Sequence, residues 1–433
     1  MKLVLGLGIT GFSIAQFLAQ QGADFKVADS RQKPTLLPEF SANFPLIEVS
    51  TGVWQLSLLD EVDEIFISPG IAQNEQIVAW AREKDIEITS DIELFSRYAQ
   101  APVVGITGTN GKSTVTQLLG TMARASGKKV AIGGNIGKPA LDCLHDDIEL
   151  YVLELSSYQL DYTKKLKLFT GVVLNITPDH LDRYASFEHY KASKLSLYQY
   201  CQNSVINIDD SLIPKKASAV HFGLEIPKSS QNFGTVTCHE SCYFLKGDDV
   251  LLGVDDIQLI GEHNISNILA ALALGEQIGL DMQAMTECIK TFKGLAHRLE
   301  WIAHKQGVEF YNDSKATNVR SSVTALKALI SKHKNIVLIA GGAIKDEDYA
   351  PLFELIDKEV LGVVLIGQSA AEFDQGICNT QTIHAKNMLE ATTLAQAMID
   401  DGAVVLSPGC ASFDMFDNFE HRGDAFKQAV LSL

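Results

Sequence analysis

The sequence predicts an α/β protein of three domains, and three observations carry that expectation. Short β-branched or apolar runs alternate with helical stretches through most of the chain, the pattern of parallel sheets covered on both faces. Two glycine-rich loops, near residues 6 and 108, each follow such a run and open a helix. The 433 residues suffice for about three domains of roughly 150 residues each. The first series of strands reads as residues 2–6, 25–29 and 64–68, the second as 103–107, 151–155, 172–176 and 205–208, and the third as 336–340, 363–367 and 404–407. Boundaries near residues 92 and 296 give a Rossmann-like N-terminal domain (1–92), a central P-loop ATPase-type domain on a parallel sheet (93–296) and a C-terminal Rossmann-like α/β domain (297–433). Residues 211–259 lack helical period and read as short antiparallel strands and loops inserted in the central domain.

Composition narrows the function. Hydrophobic residues at 46% supply real cores without a disulfide or metal staple. A net charge of -17 argues against binding nucleic acid or an anionic membrane through the general field. Any anionic substrate must then be held by local cations and backbone N–H groups. The seven cysteines are odd in number and irregularly spaced, so no disulfide framework is implied. Cys238 and Cys242 flank His239, but two further ligands at zinc-like spacing are missing. No signal peptide and no membrane-length apolar run is visible, so a cytoplasmic protein without membrane insertion is expected.

The strongest motif is GITGTNGKST at residues 105–114. Its glycines allow backbone N–H groups to face one concavity, and the helix after it adds positive potential. Lys112 would reach the β- and γ-phosphates of a nucleotide, and Ser113 would offer its hydroxyl to Mg²⁺. Ile106 stands where a strict Walker A has its first glycine. Glu154 ends an apolar run beside this loop, where a metal would sit; alone, it reads equally as a strand-end carboxylate facing water. His180, after the next strand, is a candidate metal ligand or simply an exposed loop histidine. On an expected helix over 187–201, the apolar stripe of Phe187, Tyr190, Leu195, Leu197, Tyr198 and Cys201 has Lys194 near its centre. Such a lysine must snorkel, pair or be chemically changed, and the residues alone favour snorkelling.

A second glycine motif, Gly6-Leu7-Gly8-Ile9-Thr10-Gly11, opens the first domain, with Asp29 closing the next strand. This fits a diphosphate on a helix N-terminus without saying which one. The turn Ser68-Pro69-Gly70-Ile71 could line the same crevice. A plain dehydrogenase needs no P-loop, and a plain kinase does not need the first site.

GITGTNGKST, GGNIG, LELSSYQL, NITPDHLDRY, HNISN, His297-Arg298 and NDSKATN together resemble the Mur ligases along essentially the whole chain. GGAIK at 341–345 and SPGCASFDMFDNF at 407–419 are most similar to the D-glutamate-adding branch, the MurD family. The resemblance implies an ATP-dependent amide ligase that adds D-glutamate to UDP-N-acetylmuramoyl-L-alanine through an acyl phosphate, in peptidoglycan precursor synthesis. It implies ATP on Gly108, Thr109, Asn110, Gly111, Lys112, Ser113 and Thr114, with Asn267, Arg298 and Asp313 at the adenine nucleotide. The UDP substrate would meet Gly8, Ile9, Thr10, Asp29, Ser30, Ser68 and Gly70, then Asn135, Ser156 and Gln159. D-glutamate would meet Lys315, Thr317, Lys345, Ser412 and Phe419. Two Mg²⁺ ions would be held by Ser113, Glu154, His180 and Lys194, the last as a CO₂-derived carbamate. A monomer is expected. Ala343 departs from the family pattern, which carries an aspartate there. The competing readings are a Mur-type or folylpolyglutamate-type ligase with another acceptor, and a nucleotide-binding regulatory homologue. The DNPR motif associated with the diamino-acid ligase is absent, and the intact Lys112, Ser113, Glu154, His180 and Lys194 argue for retained catalysis.

Overall fold

The computed structural model describes residues 1–179, 183–239, 241–344 and 347–433. Among these residues the strands form three sheets. The first has the spatial order Val49–Thr51, Phe25–Asp29, Lys2–Leu5, Glu64–Ile67, Glu87–Ser90, all parallel. The order reverses direction at Lys2–Leu5, and such switch points open a crevice at the carboxyl ends of the strands. Leu3, Leu5, Ile65 and Ile67 pack on one face of this sheet, while Val4, Val27 and Phe66 pack on the other. That alternation is why its strands read as continuous apolar runs.

The second sheet runs Asp249–Gly253, Ser241–Lys246, Phe233–Cys238, Val220–Phe222, Cys201–Asn207, Leu168–Val173, Val103–Thr107, Leu150–Glu154, Val130–Gly134. From Phe233–Cys238 to Val130–Gly134 every neighbour is parallel, and only the first three strands pair antiparallel. The segment 211–259 is therefore not wholly antiparallel. Val220–Phe222 pairs parallel on both sides and extends the main sheet into the hairpins.

The third sheet runs Glu300–Lys305, Val308–Asn312, Gly402–Leu406, Ile336–Gly341, Gly362–Ile366, Gln381–His384, antiparallel only at its first pair. Its cores again split by alternation, with Leu338, Leu365 and Val405 on one face and Ile339, Val364 and Leu406 on the other.

Two expected elements differ. The strand expected at 172–176 spans Leu168–Val173. Beyond it, Leu174 still donates to the Thr107 carbonyl, but Asn175 turns its carbonyl to Thr109 and its side chain to Asn110, so this stretch serves the glycine loop rather than the ladder. The helix expected over 187–201 ends at Leu195, continues as a 3₁₀ turn over Ser196–Gln199, and gives way to the strand Cys201–Asn207.

The described chain packs as two compact units. One holds Met1–Asp255 and Ser266–Ile289; the other holds Asp256–Ile265 and Lys290–Leu433. The helix Glu262–Gln277 begins in the second and continues in the first. Within the first unit, the start of the helix Asp91–Tyr98 grips the central sheet's connections. The Gln159 amide donates to Asp91 Oδ2 at 2.9 Å, Ser90 and Thr163 hydroxyls meet at 2.8 Å, and Glu93 accepts from the Lys164 and Lys165 backbones. No helix among the described residues is long and apolar enough to cross a membrane.

Candidate active site

The glycine loop of the central sheet is built as its sequence requires. The strand Val103–Thr107 passes through residues 108–111 into the helix Lys112–Ala125. Gly108 has φ 153° and Gly111 φ 84°, both in the region that favours glycine. A Cβ on Gly111 would lie 2.3 Å from Asn267 Oδ1, so this glycine also admits the amide of the helix Glu262–Gln277. Asn175 clamps the loop from the side, taking the Asn110 N–H at 2.9 Å and donating to the Asn110 carbonyl at 3.1 Å.

Two lysines converge on this loop. Lys112 Nζ donates to the carbonyls of Gly108 and Thr109, each at 2.9 Å. Lys194 Nζ donates to the same Gly108 carbonyl, also at 2.9 Å. Lys194 is 2% exposed and lies 4.7 Å from the centre of the Tyr190 ring. Snorkelling, favoured by the residues alone, is thus overturned: the short helix turns Lys194 inward onto the loop, where it pairs. Burial, with the nearby Lys112 charge, pushes its amine down to about 7 against the opposing pull of Asp179, Asp161 and Glu154. Ser113 and Thr114 are buried in the first turn of the helix.

Glu154 ends its strand at 2% exposure rather than facing water. Its Oε1 accepts from the Asn135 amide at 2.7 Å, and Asn135 N–H donates to its carbonyl at 2.8 Å. Its Oε2 is buried with no hydrogen-bond partner among the described residues. A buried carboxylate oxygen left unmatched is costly unless a cation or donor joins it. Together with the Ser113 hydroxyl at the helix start, it fits a divalent cation beside the loop. His180 lies outside the described residues. Among those described, no three His, Cys, Asp or Glu side chains cluster as ligands.

Ser156 and Gln159 form a capping box on the helix Ser157–Asp161, and Gln159 is further tied to Asp91. Their visible work is to hold the connection between the first two sheets.

In the first sheet, Gly8 precedes the helix Ile9–Gln20, with Ile9 70% exposed at its start. Gly11 is required: a Cβ there would lie 1.7 Å from the Gly6 carbonyl. Asp29 is buried and accepts from Leu7 N–H at 2.7 Å, Arg31 N–H at 2.8 Å and the Arg31 guanidinium at 2.9 and 2.6 Å. Burial alone would raise its carboxyl, but Arg31 and the two N–H groups hold it below the usual value. Asp29 therefore buttresses the glycine loop through Leu7, with both oxygens engaged. Arg31 was missed by the sequence reading; its only signal was its place two residues beyond Asp29. Ser30 is exposed beside it. The turn at 68–71 sits against Gly6, whose Cβ would meet Ser68 Cβ at 2.9 Å.

In the second unit, Asp313 is buried, accepting from Leu299 N–H at 3.1 Å and Ser407 Oγ at 2.8 Å. Burial raises its carboxyl to about 7 despite those donors and the charges of Arg298 and Arg422. Arg298 lines a crevice with Asn264, Lys293 and Trp301. Lys315 Nζ stands 3.6 Å from the centre of the Phe419 ring, and the Phe419 ring lies edge-on to His297 at 6.2 Å. Thr317 N–H donates to the Lys315 carbonyl at 2.8 Å. Arg422, also missed from sequence, is 1% exposed. It donates to Ser314 Oγ and the carbonyls of Ser314, Cys410 and Ala411, tying the Lys315 segment to the one bearing the buried Ser412. Ala343 N–H donates to Ala411 O at 2.9 Å, placing the departure from pattern beside Ser412. Lys345 lies outside the described residues.

Residues 1–90 match the family described as Mur ligase MurD-like, N-terminal domain; 106–275 match Mur ligase middle domain; 297–410 match Mur ligase, glutamate ligase domain. The chain is 41% identical over 436 residues to the UDP-N-acetylmuramoylalanine--D-glutamate ligase of Nitrosococcus oceani, covering 99% of this chain and 96% of that one. The chain belongs to the Mur ligase family. The identically named protein of Pseudomonas aeruginosa is 42% identical over 439 residues, covering 100% of this chain and 98% of its own. Among solved structures, the UDP-N-acetylmuramate-alanine ligase of Thermotoga maritima superposes with a TM-score of 0.62 at 17% identity, over 100% of this chain and 99% of that one. A pseudomurein peptide ligase type C from Methanothermus fervidus does so at 0.59 and 21%, with the same coverage. These two likenesses show that the Mur ligase fold is shared. The residues gathered on the glycine loop all fall within the segment matched as the Mur ligase middle domain.

Proposed function

We propose that this chain is an ATP-dependent ligase that joins D-glutamate to UDP-N-acetylmuramoyl-L-alanine in peptidoglycan precursor synthesis. The observation that carries the chemistry is the convergence of Lys112 and Lys194 on the Gly108 carbonyl beside buried Glu154. The names of the full-length relatives support the choice of substrates. The domains divide near residues 92 and 296, except that residues 256–265 pack with the last; the protein works in the cytoplasm, and a monomer suffices.

A carboxylate is a poor electrophile without a leaving group. The substrate's terminal carboxylate attacks the γ-phosphorus of ATP, the bond to ADP breaks, and an acyl phosphate results. The amine of D-glutamate then attacks the acyl carbon, loses a proton, and expels phosphate as the amide forms. Gly108–Thr114 cradle the phosphates, and Lys112 exchanges its loop carbonyls for phosphate oxygens as charge moves. Mg²⁺, held in two positions by Ser113, Glu154, His180 and Lys194 as carbamate, would neutralise phosphate charge when bound. The carbamate forms when the neutral Lys194 amine adds to CO₂ and releases a proton. This turns a buried neutral amine near Glu154 into an anion, which accounts for a lysine at that position. Asn267, Arg298 and Asp313 serve the nucleotide. Gly8, Ile9, Thr10, Asp29, Ser30, Ser68, Gly70, Asn135, Ser156 and Gln159 serve the UDP-sugar peptide. Lys315, Thr317, Lys345, Ser412 and Phe419 serve D-glutamate.

The test is phosphate release from ATP and Mg²⁺ with UDP-N-acetylmuramoyl-L-alanine and single amino acids. Release that depends on D-glutamate, and not on L-glutamate or diaminopimelate, is expected. Release with another acceptor would move the substrate assignment within the family. No release from folded, ATP-binding protein would overturn the ligase reading.

A further inference from the structure

Arg183, after the strand Leu168–Val173, reaches into the turn of the first sheet. Its Nη1 donates to the Gly70 carbonyl at 2.8 Å, and its Nη2 donates to the carbonyls of Pro69 at 2.6 Å and Ile71 at 2.7 Å. The guanidinium lies 4.0 Å from the centre of the Tyr158 ring, itself stacked on Tyr184 at 5.9 Å. Both the plane and the reach of the side chain are thereby fixed from two sides.

The effect on the turn follows from peptide geometry. In a planar trans peptide the carbonyl and the next N–H point in opposite directions. Drawing the Pro69 carbonyl to Arg183 therefore aims the Gly70 N–H away from it. The next N–H, of Ile71, is already spent on the Ser68 carbonyl at 3.0 Å. The turn also touches the first glycine loop, since a Cβ on Gly6 would meet Ser68 Cβ at 2.9 Å and Ile71 Cδ1 at 3.2 Å. One side chain thus orients a donor edge of the first glycine site from a loop of the central sheet.

We propose that Arg183 is a positioning residue for the nucleotide-sugar substrate, linking the set of the 68–71 turn to the segment 183–186 that leads into the helix Phe187–Leu195. The proposal rests on reading the first domain as the UDP-sugar site. Lysine cannot replace it, because a single ammonium does not present the planar fork that takes three carbonyls.

The experiment is calorimetric titration of UDP-N-acetylmuramoyl-L-alanine into wild type, Arg183→Met and Arg183→Lys without ATP, alongside melting temperatures and separate KM values. Both variants are expected to bind at least about tenfold more weakly. Their KM for ATP and for D-glutamate should stay within about twofold, and Tm within roughly 2 °C. Arg183→Met binding like wild type would overturn the role, as would Arg183→Lys at full affinity. Equal rises in all three KM values with a large fall in Tm would also overturn it, leaving a purely structural tether. Wild type that binds no UDP-sugar would overturn the domain reading and this role together, whereas tight wild-type binding with an unaffected Arg183→Met overturns this role alone.

Discussion

Replacing Lys194 by methionine should make the fold more stable while abolishing activity. The side chain is 2% exposed, and its amine is pushed down to about 7 by burial and by Lys112. At pH 7.5 folding must strip a proton about three pH units below its ordinary value, which costs on the order of 4 kcal/mol. Methionine has similar length and carries no charge. It loses the hydrogen bond to Gly108 O, worth roughly 1 kcal/mol, so a net gain of about 3 kcal/mol is expected. Between pH 7 and 10.5 the unfolded chain holds the Lys194 proton and the folded chain does not, so wild-type stability rises with pH across that window. The advantage of Lys194→Met should therefore be greatest below pH 7 and shrink towards nothing near pH 10. Urea midpoints in metal-free, CO₂-free buffer, followed by the fluorescence of Trp54 and Trp80, would read this directly. A Lys194→Met midpoint at or below wild type at pH 7.5, or parallel pH profiles, would refute the argument.

Lys112→Ala should cut D-glutamate-dependent phosphate release by on the order of 100-fold or more while circular dichroism stays unchanged; near-normal turnover would sink the P-loop assignment. Lys194→Ala should be inactive and partly rescued by short-chain carboxylic acids, and full activity without added acid would remove the carbamate role. Gly111→Ala, at φ 84° and facing Asn267 Oδ1 at 2.3 Å, should lose about 1–2 kcal/mol of stability and raise the KM for ATP, checked by thermal melts and ATP titration. Asp29 is held below its ordinary value, so its contribution is present above that value and is lost as pH falls through the folded one. Asp29→Asn should therefore cost about 1–3 kcal/mol at pH 7 and flatten the acid limb below pH 4, seen in urea midpoints.

Patterning made the glycine loops, their strands and their helices legible, because a loop needing positive φ and close backbone approach tolerates few residues, as Gly11 and Gly111 show. Strands with little apolar signal escaped it. Val49–Thr51 and Gln381–His384 sit at sheet edges, where partial exposure dilutes the run, and the edge strand Glu87–Ser90 buries Thr89 and Ser90 in place of apolar side chains. The helix Phe187–Leu195 was overdrawn because its apolar stripe continues without a break into the next strand through Leu197, Tyr198 and Cys201. Arg31 and Arg422 could not be picked out, since an arginine that binds carbonyls or a neighbouring carboxylate has no spacing of its own. For Lys194 the stripe showed that something was out of place, but only the fold revealed the carbonyl it serves.

The helix Glu262–Gln277 starts in one compact unit and finishes in the other, and the ten residues before Ser266 belong with a body whose remainder begins at Lys290. Ile260 packs on the core of that later body, and a Cβ on Gly261 would lie 3.0 Å from Ala328 Cβ. A fragment beginning at residue 297 would therefore leave part of its own core behind. The carboxyl-terminal body cannot be moved between relatives as one contiguous cassette. A working chimera must also exchange residues 256–265, far upstream of the junction, so that the grafted body arrives with its missing wall.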